Sequence, residues 1–543
     1  MFSALRWIVL ERGPLWWLGG PVLDKELKVL ARRRRTYAVR FGYVVFLMVL
    51  VLPAWLRFVV NPGRSAQLYS TARLPQLGRS LVITLVWFQF YAAQVIALVT
   101  FSGTISTEIR RRTLDVLLST PINSVQIVLG KLVGGLLPVI FLIGVSLPFL
   151  AVIRVFGGIE WDYVVAAVCI TLTATLFVAA VSMLVSVRIH QPYKVILLVL
   201  APLLTIYGTS QITLFVPSKV LATIVTLLSP ACRLFLETYR NTALAARMPA
   251  NGVAWQVHCL FILGVSVAAV LASMVLIRRG AYAAVAAPKK RKKATGGKPR
   301  TGTGSPVLWK DLGSPFQTLL RKNIVIFVFL IIPLIGLYGV SASGKGGYYL
   351  SIYTMGIWIV ALVRTAVMAA TAITREKEAR TWSTLLCTTL GDRQIIRDKA
   401  AAVLWRNWPA WMVLTVNAVI LLLRLMLKRQ GMSALDMGLS FADRLGWVAA
   451  TVSLLVGGGL FFSVRLKSST AAVVATLTLV ACLWVMPTCL IPVFYRVVSG
   501  FLSGRLMLFF HQLAQLVLLR GLFFVVGLLL FRMARLRLRR HIF

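Results

Sequence analysis

Acidic side chains are scarce in this chain. Only 15 Asp and Glu stand against 59 Lys and Arg in 543 residues, and charged residues of both signs make up 14%. A soluble chain carries roughly a quarter. Histidine is rarer still: there are four, none within four residues of another. The six cysteines include no CxxC pair, and Cys169, Cys482 and Cys489 sit in apolar runs as packing residues. These absences argue against a disulfide framework, a Cys/His metal site, and the acid pairs or nucleophile–base clusters of a membrane-embedded enzyme. No cofactor is expected on the chain itself. An ATPase domain is also missing, because no polar segment approaches the more than ~40 residues that unaided folding usually needs. "GVSASGKG", Gly339 to Gly346, resembles a phosphate loop. It fails because Gly346 stands where Ser or Thr should ligate Mg²⁺.

What is present is apolar. Hydrophobic residues make up 59% of the chain. They fall in runs of 18 or more residues, each able to cross the ~30 Å hydrocarbon core as a helix. Twelve spans are predicted. Six cover roughly 37–60, 80–103, 126–155, 161–187, 193–216 and 254–277. Six more cover roughly 322–341, 350–373, 400–427, 445–464, 470–494 and 513–532. The N-terminal stretch "MFSALRWIVLERGPLWWLGG" is broken by Arg6 and Glu11. It reads as an interfacial segment anchored by Trp7, Trp16 and Trp17, not as a cleaved leader.

The excess of basic residues fixes orientation. With residues at span edges counted with the adjoining loop, 40 of the 59 Lys and Arg lie on the side of the N-terminus and 16 on the other. Arg364, Arg406 and Arg520 fall within spans. The sequence therefore predicts both termini in the cytoplasm. The +44 net charge is read as topology and contact with anionic lipid, with no nucleic-acid partner. "PKKRKK" in the linker solvates that segment.

Three landmarks recur in order. "PVLDKEL" at Pro21–Leu27 returns as "PVLWKDL" at Pro306–Leu312, each just before the first span of its half. "SVR" follows the fourth span of each half, at Ser186–Arg188 and Ser463–Arg465. Between them, Glu108–Lys131 aligns without gaps on Glu376–Lys399, giving nine identities in 24 columns. Composition alone would give about one or two. The fold class is thus an all-α polytopic membrane protein, with about 12 transmembrane helices in two parallel six-helix repeats. Residues 1–280 form the first repeat, 281–305 a basic flexible linker, and 306–543 the second repeat.

Both copies of the aligned block open on a charged segment, near 104–125 and 374–394. Placed on a helix, Leu114, Leu117 and Leu118 share one face. Glu108 precedes Arg112 by four, the favourable order for an ion pair, and Glu376 and Arg380 keep that spacing. Lipid contact would need basic residues and an apolar face but not the acid, so a protein partner is the better explanation of its retention.

"TEIRRRTLDVLLSTPINSVQIVLGKL" closely resembles the signature region of ABC-2 type transporter permeases, the membrane subunits of ATP-driven exporters. The resemblance covers nearly the whole chain: six spans per half, an amphipathic helix before the first, and a charged cytoplasmic segment between the second and third. It implies that Glu108, Arg112, Thr113, Leu117 and Thr120 dock one ABC ATPase subunit, and that Glu376, Arg380, Thr381, Leu385 and Thr388 dock another. ATP and Mg²⁺ would be bound by those two partner copies, and the chain would be a transport subunit, not an enzyme. It implies an inner (cytoplasmic) membrane location and an outer re-entrant hairpin within 217–252. The substrate is not indicated. The second half departs from the pattern, with Thr389 for Pro121, "GDR" for "NSV" and Asp398 for Gly130.

Two rival classes are an ion-coupled secondary transporter and a non-transporting membrane scaffold. The first usually carries carboxylates within its spans, whereas all 15 Asp and Glu fall outside the predicted spans or at their edges. Arg364 and Asn417 are candidate pathway residues. Arg364 would either bind an anionic group or bond carbonyls of neighbouring helices, and Asn417 either lines a pathway or joins helices.

Overall fold

The computed structural model describes residues 22–28, 40–45, 47–48, 70–111, 123–154, 159–189, 192–209, 219–240, 254–286, 305–312, 316–342, 347–428, 434–480 and 520–538. Among these residues the regular structure is entirely helical. Seven helical stretches are long and apolar enough to cross a membrane: Leu81–Ser102, Ser124–Ile153, Trp161–Arg188, Trp255–Ile277, Leu320–Gly339, Tyr353–Glu378 and Leu445–Arg465. They coincide with seven of the predicted spans. The ninth predicted span lies inside a further helix, Asp392–Lys428. Most of the first and eleventh, and parts of the fifth and twelfth, lie outside the described residues.

The chain divides into two compact units, Met1–Lys292 and Lys293–Phe543, and the division falls in the basic linker. In the first unit, α1 (22–28) carries the "PVLDKEL" landmark. It is followed by α2 (Ser70–Ser102), α3 (Ser106–Arg111), α4 (Ser124–Arg154), α5 (Trp161–Arg188), α6 (Pro192–Thr209), α7 (Lys219–Leu228), α8 (Pro230–Arg240) and α9 (Trp255–Ala286). The centre is α5, against which α2, α8 and α9 pack. Its buried face is built of small residues, among them Ala166, Ala167, Ala174, Ala179 and Ala180. Small side chains let helix backbones approach in a setting where burial of apolar surface gives no drive. Thr171, Thr175 and Ser182 on the same helix return their hydroxyls to carbonyls one turn back, so no polar hydrogen is left unbonded. Leu81, Val82, Leu85 and Phe90 of α2 meet Leu150 of α4, Tyr163 and Ile170 of α5, and Leu234 of α8 in one core.

The second unit opens on α10 (Pro306–Leu312), the "PVLWKDL" landmark. It continues through α11 (Phe316–Ala342), α12 (Gly347–Glu378), α13 (Trp382–Leu386), α14 (Asp392–Lys428), α15 (Ala434–Arg465), α16 (Ser469–Val480) and α17 (Leu522–Arg537). Here α15 is central, packed on α12, α14 and α17. The packing depends on glycine. A Cβ on Gly457 would lie 2.0 Å from the Gly527 carbonyl oxygen, and one on Gly459 would lie 2.5 Å from the Ala369 Cβ.

The charged segment of this half differs from the expected single helix. α12 runs without interruption to Glu378, then the chain reverses. Arg380 takes a left-handed backbone with φ 57°. Its N–H bonds the Lys377 carbonyl at 3.1 Å, and the Thr381 N–H bonds the Glu376 carbonyl at 3.0 Å. This is the hydrogen-bonding pattern of a left-handed helix stop. Burial of Trp382 and Leu385 against Val307, Ile373, Ile395 and Ile396 accounts for the reversal.

Candidate functional site

The end of the second unit that carries α10 and α13 is built around a lysine. Lys399, in the second turn of α14, is 1% exposed. Its Nζ donates to Glu376 Oε1 at 2.7 Å and lies 2.8 Å from Asp311 Oδ2. Lys310 of α10 reaches the same Glu376 oxygen at 3.3 Å. One buried cation thus ties together the end of α12, the start of α14 and the helix that precedes the first span of this half. Arg406 of α14 adds a bond to the Asp311 carbonyl.

The first unit repeats the arrangement. Lys131 of α4 is buried and donates to Glu108 Oε1 of α3 at 2.9 Å. The partners are 23 residues apart in each half, Glu108 with Lys131 and Glu376 with Lys399. They are the first and last columns of the aligned block. Their retention is therefore explained within the chain: a buried lysine needs its carboxylate. This corrects the expected pairing in the second half, where Glu376 faces two lysines while Arg380 points out from the left-handed stop. The acid therefore has a role inside the chain in each half.

Two more residues fasten the end of α12. Lys377 Nζ donates to the carbonyls of Ser463 at 3.2 Å, Val464, and Leu466 at 3.5 Å, the groups that the end of α15 leaves without helical partners. Glu378 accepts the Ser469 N–H at 2.8 Å, capping the start of α16. The Ser463 hydroxyl, in the "SVR" landmark, accepts the N–H groups of Ile373 and Thr374 at 2.9 and 3.0 Å. The aligned positions of Lys377 and Glu378 in the first half are Ile109 and Arg110, so this clamp belongs to the second half alone.

α13 lies over this fastened base. Trp382 and Leu385 face inward, while Ser383, Thr384, Cys387 and Thr388 are exposed beside Arg380 and Thr381. Thr388 Oγ1 donates to the Leu385 carbonyl at 2.6 Å and holds the turn after the helix. Arg112, Thr113, Leu117 and Thr120, the first-half counterparts, lie outside the described residues.

The candidate pathway residues are engaged with their neighbours. Arg364 Nη2 donates to the Arg406 carbonyl at 3.3 Å, and Asn417 Oδ1 accepts the Tyr338 hydroxyl at 2.7 Å. A buried polar group that sequence reasoning missed lies in the first unit. Arg233 and Glu237 of α8, both buried, form an ion pair one turn apart, and buried His258 begins α9. The signal available was the four-residue spacing of base and acid in a segment flanked by Pro230 and apolar runs.

The helices and their polar end define a multi-pass, all-helical membrane protein in which a short helix is held at one end of a bundle. Residues 21–276 match the model of the ABC-2 family transporter protein, so this part of the chain carries the transporter domain found in permeases of ABC-type transporters. No curated protein matches it.

Proposed function

We propose that the chain is the membrane subunit of an ABC-2 exporter, made of two six-span repeats and driven by two copies of a separate ATPase docked on the cytoplasmic side. ATP and Mg²⁺ belong to that partner. The observation that carries this reading is α13: two inward side chains pinned to the core, an outward face of small polar residues, and a base fastened by Lys399 to three helices. A partner seated on α13 would move α12, α14 and α10 together as one body. The outward residues Arg380, Thr381, Thr384 and Thr388 make the contact in this half. Thr113, Leu117 and Thr120 would serve in the other, with Glu108 holding the segment in place. The membrane would be the inner one, and the basic bias supports both termini in the cytoplasm.

The test is purification of the tagged chain from its own host in mild detergent, with mass spectrometry of what accompanies it. Two copies of a chain carrying a phosphate loop are expected per permease, and Thr384→Arg combined with Thr388→Arg should release one. Recovery of the chain alone after cross-linking would overturn the reading.

A further inference from the structure

The Arg233 group belongs to no part of the proposed docking site. α7 and α8 form a helical hairpin joined at Ser229, whose hydroxyl accepts the Cys232 N–H at 3.2 Å and fixes the bend. α8 packs on α5, where Thr238 meets the Tyr163 hydroxyl at 3.0 Å. The hairpin is therefore anchored, and Arg233 of α8 is buried within the packing at 0% exposure.

A guanidinium has only donors to offer. Nη2 of Arg233 donates to Glu237, but Nε and Nη1 reach no acceptor among the described residues. The carboxylate is also shared, because Arg240 Nη1 reaches the same Glu237 oxygen at 3.4 Å. Two cations thus draw on one anion. His258, also 0% exposed, sits on α9 where that helix packs on α8, with the backbone of Thr226 and Leu227 beside its ring. A buried guanidinium with two nitrogens unfilled among the described residues is suited to take acceptors from a ligand, and a charged oxygen supplies them best.

We propose that Arg233, together with His258, binds a phosphate group at the α7–α8 hairpin. The group comes either from free phosphate or from the phosphodiester of an anionic lipid. Arg233 would hold its oxygens through Nε and Nη1, and His258 would donate one ring N–H. Glu237 keeps the guanidinium oriented. The site stands whether or not an ATPase drives the permease.

The experiment uses the purified full chain. Its melting temperature is followed against sodium phosphate, with sodium chloride balancing ionic strength. Native mass spectrometry in a separate arm follows retention of phosphatidylglycerol. A saturable rise with phosphate assigns the free anion, and one retained lipid without that rise assigns the headgroup. Arg233→Gln combined with Glu237→Gln removes both charges and leaves two amides able to bond each other. It should weaken binding at least about tenfold, the weight of one charge-assisted hydrogen bond. His258→Gln should weaken it several-fold, and decides the matter if the double variant does not fold. The proposal is overturned if neither probe shows saturable binding, or if a folded variant keeps the affinity of the parent chain.

Discussion

Glu376 and Lys399 meet at 2.7 Å across 23 residues of chain, and Glu108 and Lys131 meet at 2.9 Å across the same interval. The repeat detected in the sequence is thus also a repeat of one contact. In each half the charged segment is tied to the helix that follows it, and the tie is buried on the lysine side.

The two ties differ in weight. Lys399 serves two carboxylates, whereas Lys131 serves one that is 25% exposed. Removing one partner of a buried pair costs about 3–5 kcal/mol. Lys399→Met should therefore produce a large drop in melting temperature. Lys131→Met should cost less, roughly 1–3 kcal/mol, because water reaches its partner. Equal losses for the two variants would show that Asp311 adds nothing.

Arg380 adopts a backbone that glycine accepts without strain. Arg380→Gly should leave stability unchanged or raise it by up to about 1 kcal/mol, measured by thermal unfolding. If α13 docks the ATPase, the same variant should weaken retention of the partner. A loss of stability would mean that the side chain supports the fold.

The inward and outward faces of α13 should separate cleanly. Leu385→Ala removes a side chain that is 9% exposed and should cost about 2–3 kcal/mol. Thr384→Arg should change stability by no more than about 0.5 kcal/mol and act only on partner capture. Partner loss without loss of fold in Thr384→Arg is the outcome that identifies a docking face.

Close approach of α15 and α17 leaves no room for a methyl group at Gly457. Gly457→Ala should cost at least about 1–3 kcal/mol, since the clash is with backbone and cannot be relieved by a rotamer change. Gly264→Ala, with nothing within 4 Å of the new Cβ, should be neutral or stabilising. Comparing the two melting temperatures checks that the effect belongs to the crossing and not to glycine as such.

The amino-acid sequence by itself determined the class, the positions of the described spans, the two landmark helices and the repeated block. Each of these rests on local chemistry: an apolar run of sufficient length must be helical in lipid, because its backbone has no other partner. The lysine partners of Glu108 and Glu376 were decided only by the tertiary structure. Spacing on one imagined helix set each beside an arginine four residues on. The described fold ends the second helix at Glu378 and turns Glu376 toward a lysine 23 residues away. Which of several cations a carboxylate chooses depends on where burial places them, and burial is set by Trp382, Leu385 and the core they join. The Lys377 clamp and the Arg233–His258 cluster were hidden for the same reason. The carbonyls held by Lys377, and the α9 helix that brings His258 against α8, are distant in the chain and brought near by packing that local periodicity does not encode.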